Sequence, residues 1–362
     1  MNKPRLDAIT YVRAFAILGV LLIHSTSQTL VSVTPGTLTH TVFLYVNKMS
    51  NFAVPVFVLL SAMVLFYRYD QPFSLTQIRS FYRKRLAYIV VPYVIWSVLY
   101  QLYYTCLLPF IKGEAWRWDF LNMLKLLLTG QAAPHLYFFF ILFQFYLLFP
   151  VLMMLAQRWR QRPYLWILFG ITVQCVFYAI TYVYAQQVGP VPYRATYMFG
   201  YMGLIAIGGY IGMTYPVVRR RLQKYGLAVT LLTLVVGIAY STVFYWAYAG
   251  VYRAPTVLFD ASFHLYALLA ALTLLYAAER MAARPAEHGR NKLLFQLGVH
   301  SFGIYLTHVA VLDLLRRALE APGHTLLYQV YVWLLFAIAL VIPWLTVKWL
   351  RPQKHSWLLL GK

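Results

Sequence analysis

This chain of 362 residues has little charge, little acid and almost no cysteine. Charged residues make up 11% of it against 62% hydrophobic ones, and its mean hydropathy is +0.65. No soluble domain of this length needs so much apolar surface, and the uncharged runs are long enough to cross a bilayer core of about 30 Å. Nine Asp and Glu stand against 31 Lys and Arg, for a net charge of +22. Cys106 and Cys175 are the only cysteines. Both fall in apolar runs, where a thiol packs as a small hydrophobe, so no disulfide framework or metal-ligand pattern is available. No stretch rich in Gly, Ser or Pro marks a linker, and no extramembrane segment is long enough for a second domain. Residues 1–362 are read as a single transmembrane domain. There is no convincing internal or inverted repeat, which weighs against a secondary transporter. The first apolar run lacks a small-residue cleavage site and is expected to stay as an anchor.

What is present is a set of about ten apolar spans, near 9–31, 45–67, 86–111, 134–156, 164–186, 196–215, 226–250, 259–279, 297–317 and 326–349. The expected fold class is all-α, a polytopic transmembrane helical bundle. With the N-terminus in the cytoplasm, 22 of the 31 cations fall on the inner side, among them Lys3, Arg5, Arg284, Arg290 and Lys362. Eight fall outside: Lys48, Lys112, Arg117, Lys125, Arg194, Arg253, Arg316 and Arg317. That asymmetry is the positive-inside pattern, with both termini cytoplasmic and the chain multi-pass in the plasma membrane. The basic charge therefore reports topology, its partner is the lipid bilayer, and nucleic acid is not expected. The outer segment holding Trp116, Trp118 and the apolar Phe120–Leu128 run reads as an interfacial or re-entrant helix, too short to cross. Gly208 and Gly212 form a GxxxG pattern that lets another helix approach closely.

The remaining cation, Arg13, shares the first span with His24. An ionisable group at membrane depth is costly and is by default a functional site. Eleven residues at about 100° each make roughly three turns plus 20°, so both side chains share one face, about 16 Å apart along the axis. The neutral imidazole is the form that can act as base towards a hydroxyl nucleophile. A histidine serving only helix packing, and an arginine snorkelling to the inner surface, are the bland readings.

Other groups join this pair. Arg79, Arg83, Lys84 and Arg85 form an inner basic loop ahead of a proline-containing span. Guanidinium forks suit phosphate oxygens, and a stop-transfer charge block is an equal alternative. Ser301, Tyr305 and His308 lie at steps of four and three on one face of the ninth span, as a binding or catalytic element or as polar glue between helices. His135 stands beside Pro134 in the expected first turn of the fourth span, towards the outer leaflet. Asp260 and His264, at i and i+4, read as an interfacial structural pair. Pro55 kinks the second span beside Asn51 and Ser61 and can open a cavity there.

Taken together, Arg13 and His24, Val54 to Ser61, Arg83 to Pro92, Pro134-His-Leu-Tyr, and Gly298 to His308 resemble the integral-membrane acyltransferase 3 family along nearly the whole chain. Within it the chain looks closest to biofilm exopolysaccharide (poly-N-acetylglucosamine) modification and export proteins. It departs from the family pattern at Thr10, where an acid is common, at Ala62 after Ser61, and at Tyr137 in place of a tryptophan. The resemblance implies transfer of an acetyl or succinyl group from cytoplasmic acyl-CoA to a hydroxyl of a cell-surface or exported polysaccharide. His24 and Arg13 would be catalytic. Arg83, Arg85, Ser61, His135, Ser301, Tyr305 and His308 would bind substrates. Acyl-CoA would be a co-substrate with no tightly bound cofactor and no metal, and the partners would be a glycan acceptor and a polysaccharide synthase. The rival reading is a polysaccharide exporter or flippase of the same family, its sugar path lined by some of the 31 tyrosines; a sensor or scaffold is a third.

Overall fold

The computed structural model describes residues 6–69, 74–116, 118–283, 289–323 and 326–361. Lys3, Arg5, Arg117, Arg284 and Lys362 lie outside the described residues, as does the Arg290 side chain. Every regular element described is helical: α1 (Asp7–Thr26), α2 (Leu38–Ser50), α3 (Ala53–Arg68), α4 (Leu75–Arg85), α5 (Val91–Leu102), α6 (Phe120–Thr129) and α7 (Tyr137–Arg158), then α8 (Pro163–Gln187), α9 (Met202–Met213), α10 (Tyr215–Tyr248), α11 (Thr256–Ala282), α12 (Gly289–Ala318) and α13 (Leu326–Leu350). The fold is an all-α polytopic bundle.

Proline explains where the long helices change. Asn51 and Phe52 interrupt the span Leu38–Arg68 between α2 and α3. Pro55 has no N–H to give, and its ring clashes with the carbonyl four residues back, at Asn51. The segments Leu86–Val90 and Tyr103–Leu107 are π-helical, each ending two residues before a proline, Pro92 or Pro109. A π turn widens the helix where the proline removes a hydrogen bond. The basic segment expected as an inner loop is instead α4, the N-terminal part of one continuous span, Leu75–Ile111. Its start is a capping box: Gln77 N–H donates to Ser74 Oγ, and Ser74 N–H donates to Gln77 Oε1. Cys106 is half-buried, but Cys175 is exposed on α8 rather than packed.

Among the described residues, nine helices are long and apolar enough to span; the expected sixth span is the shorter Met198–Met213. It opens with a 3-10 turn, Met198–Tyr201, and continues as α9, reaching about 26 Å at the usual rises per residue. The packing of its neighbours fits a crossing. The His40 ring lies 5.4 Å from that of Tyr248, while Asn51 Nδ2 donates to the Tyr240 hydroxyl at 3.0 Å, so α2 and α10 run antiparallel. Crossing helices alternate in direction, so an even number of crossings must separate that pair. Three long apolar helices do so, and Met198–Met213 makes four. A bilayer thins locally to accept a short span.

The contacts divide the chain into two compact units, 1–61 with 214–348, and 62–213 with 349–362. In the first, α1 is the central helix, with 13 of its 20 residues buried. It packs against α2, α11 and α12. The tightest approach is at Gly298 of α12, where an added Cβ would lie 1.9 Å from the Thr10 carbonyl oxygen. Tyr11 meets Phe295 at 5.5 Å, and His24 meets His308 further along, so α1 and α12 run parallel. In the second unit, Phe66, Phe81, Phe149 and Trp166 form an aromatic core with ring separations of 5.2–5.6 Å. The GxxxG face of α9 serves close packing there: a Cβ on Gly212 would lie 2.3 Å from the Met63 carbonyl oxygen.

Candidate active site

The parallel register of α1 and α12 brings two sequence elements together. From the Thr10·Gly298 contact, one turn along each helix gives Arg13 and Ser301. Fourteen residues along gives His24 and Leu312, with His308 one turn before and Arg316 one turn after on the same stripe of α12. The contacts agree. The His24 and His308 rings lie 5.1 Å apart at 60°, and Arg316 Nη2 donates to the His24 carbonyl at 2.5 Å.

His308 is fully buried. Its Nδ1 lies 2.8 Å from the Tyr305 carbonyl and 3.2 Å from that of Ile304. A carbonyl only accepts, so Nδ1 carries the proton and Nε2 is the basic nitrogen of the neutral ring. Tyr305 is buried, with its ring 5.9 Å from that of His308. His24 is half-buried in the last turn of α1, and Arg13 is half-buried earlier on the same helix. The hydroxyls of Ser301 and Ser61 donate within their own helices, to Gly298 O at 2.9 Å and Phe57 O at 2.8 Å. Tyr328 of α13 adds a hydroxyl 3.2 Å from Thr29 Oγ1 and 3.4 Å from Ser32 Oγ.

A second polar site lies in the second unit. A cavity of about 930 Å³ is lined by Arg79, Arg83, Arg85, Tyr82, Tyr146 and Leu147 among others. That volume is of the size that holds a cofactor-sized molecule. Arg85 stands 5.0 Å from the ring centroids of both Phe81 and Tyr146; cation–π contact places its guanidinium at the cavity wall. Arg79 and Arg83 are exposed. His135 does not line this cavity. It is buried, with its ring 5.2 Å from that of Tyr100. It sits in the turn before α7 rather than within its first turn, because Leu136 N–H closes back on Ala133 O at 3.0 Å and the helix begins at Tyr137. His24 and His308 belong to the first unit; Arg83, Arg85 and His135 belong to the second.

The structure thus holds an arginine-bearing central helix, whose His24 meets the buried His308, inside a multi-pass bundle. The family model described as an acyltransferase domain matches residues 6–348, nearly the whole chain. The chain belongs to the acyltransferase 3 family. No curated protein and no solved structure matches it. This family member is accordingly a multi-pass membrane acyltransferase.

Three side chains have contacts that spacing along the chain does not reveal. Arg316, one of the outer cations by sequence, is half-buried and bonded to the end of α1. Asn47 of α2 donates to Ile23 O at 3.1 Å and Thr26 Oγ1 at 3.0 Å, at the same helix end. Glu279 of α11 is buried, 2.7 Å from Arg219 Nε, and accepts from the Tyr215 hydroxyl. Tyr215 and Arg219 stand one helical turn apart, and an acid inside an apolar run was the available signal. Glu279 joins α10 to α11 and is structural. The expected Asp260–His264 pair runs through the backbone: His264 Nδ1 donates to the Asp260 carbonyl at 2.8 Å.

Proposed function

We propose that this acyltransferase moves an acetyl or succinyl group from cytoplasmic acyl-CoA to a hydroxyl of an exported or cell-surface polysaccharide, in the branch that modifies biofilm exopolysaccharide. The observation that carries the reading is the His24·His308 ring pair on the central helix of the first unit. His24 is the base. It takes the proton of the acceptor hydroxyl as that oxygen attacks the thioester carbonyl. The tetrahedral intermediate then collapses, the C–S bond breaks, and the proton passes to the departing thiolate, giving the ester and free CoA. His308 packs edge-on against His24 and limits its rotation. A positioned histidine base is worth about 10²–10⁴-fold.

The donor's phosphates fall to Arg83 and Arg85 of the basic cavity, with Arg13 as a further cation, since guanidinium forks match phosphate oxygens. Ser61, His135, Ser301, Tyr305 and His308 serve substrate binding. The excess of cations on the segments assigned to the cytoplasm supports both termini there and a plasma-membrane location, with a polysaccharide synthase as partner.

The test is mass spectrometry of surface polysaccharide from cells with and without the protein. Loss of an acyl ester on deletion is the expected result. Unaltered ester content with polymer retained inside the cell would refute transfer and point to export.

A further inference from the structure

The backbone carbonyls in the last turn of a helix have no helical partners of their own. At the end of α1, Ile23 O keeps the Ser27 N–H at 3.0 Å, and two other helices add donors to the carbonyls there. Asn47 of α2 donates to Ile23 O, and Arg316 of α12 donates to His24 O at 2.5 Å and reaches Ser25 O at 3.4 Å. Both donors act within one turn of His24, and both ride on helices packed along α1. An outer topological anchor would turn its guanidinium to water. Arg316 instead is half-buried, with Nε shut away from solvent, and Asp313 of its own turn is engaged by Arg317 at 2.7 and 3.3 Å. A cation on the last carbonyls of a helix also meets the negative end of its dipole.

We infer that Arg316, backed by Asn47, is a positioning residue for the acyl transfer: it clamps the His24 carbonyl and so fixes the imidazole against His308. The inference rests on His24 being the base. The parallel pair α1 and α12 is thus pinned at two points, by the close Thr10·Gly298 contact at one end and by the Arg316 clamp at the other. The two rings lie next to the clamp. Arg316 touches the backbone of the base rather than substrate, so its loss lowers turnover and leaves donor affinity alone. A displacement of about 1 Å at a reacting group can cost about 10²-fold.

The experiment uses inside-out membrane vesicles from cells making the full chain and its own polysaccharide, with ¹⁴C-acetyl-CoA added outside. Wild type, Arg316→Gln, Arg316→Lys and His24→Ala are compared, with rates normalised to monodisperse protein measured by size-exclusion chromatography. Arg316→Gln is expected to lower kcat about 10²-fold with KM for acetyl-CoA unchanged, and Arg316→Lys, whose ammonium can still cap a carbonyl, to regain much of it. Wild-type kcat in Arg316→Gln, or a raised KM with kcat kept, overturns the clamp. Should Arg316→Gln fail to fold, Arg316→Lys decides: reduced kcat at unchanged KM supports the clamp, and a raised KM at wild-type kcat overturns it. Full transfer in His24→Ala overturns the base assignment and the clamp with it. Loss in His24→Ala beside full kcat in Arg316→Gln overturns the clamp alone.

Discussion

Gly298→Ala is a one-carbon change that the packing of α1 on α12 should not accept. The added Cβ would lie 1.9 Å from the Thr10 carbonyl oxygen and 2.9 Å from its Cγ2, where ordinary contact begins near 3.4 Å. The nearest atom is backbone and cannot rotate aside, so the two helices must part by about 1.5 Å at that point. Overpacking of this kind costs about 1–3 kcal/mol. The functional effect should be larger than the loss of stability. One turn beyond the contact lie Arg13 and Ser301, and the same helix pair carries His24 and His308. A misplacement near 1 Å at a reacting group can cost about 10²-fold. The assay is transfer of labelled acyl group in membrane vesicles, normalised to folded protein, with the thermal midpoint measured on the same preparation. Expected are a lowered midpoint, transfer down by about 10²-fold, and unchanged affinity for CoA, whose proposed cavity lies in the other unit. Full transfer with an unchanged midpoint would refute the packing register from which the site is built.

Three further outcomes follow from the same geometry. Arg85→Ala removes the cation proposed to hold the donor's phosphates, a charge-assisted contact worth about 1.5–3 kcal/mol, so donor KM should rise about 10–100-fold with kcat near wild type, read by varying acyl-CoA concentration. Glu279→Gln leaves Arg219 without its carboxylate; because Arg219 is half-exposed, the cost is about 1–3 kcal/mol, seen as a lowered thermal midpoint with little change in transfer per folded protein. Single cysteines placed at Tyr193 and Val217, in a chain freed of Cys106 and Cys175, should react with an impermeant thiol reagent from opposite sides of the membrane; labelling of both from one side would contradict the crossing of Met198–Met213.

Much of this was readable from residue spacing. The apolar runs revealed the class, and the eleven-residue step from Arg13 to His24 puts both side chains on one stripe of α1. The Ser301–Tyr305–His308 face was also visible as a helical period. Their meeting was not, because helix register depends on where two backbones can touch, and a single glycine, Gly298, decides that. The contact of Arg316 with α1 is hidden in the sequence for a physical reason: a cation at a span's end looks the same whether it meets water or a neighbouring helix's carbonyls. The basic segment 75–85 was read as a loop from its charge, although Ser74 and Gln77 hold the spacing of a capping box. The sixth span was expected from its hydrophobicity, and its shortness appeared only when Tyr193–Tyr201 wound as turns and 3-10 helix.

The central claim is that the imidazole of His24 performs the transfer. Its most direct test is incorporation of ¹⁴C-acetyl from acetyl-CoA into polysaccharide by vesicles bearing His24→Ala, with CoA binding measured alongside. The account predicts loss of about 10²-fold or more with CoA binding and folding intact. Wild-type incorporation by that variant would contradict it.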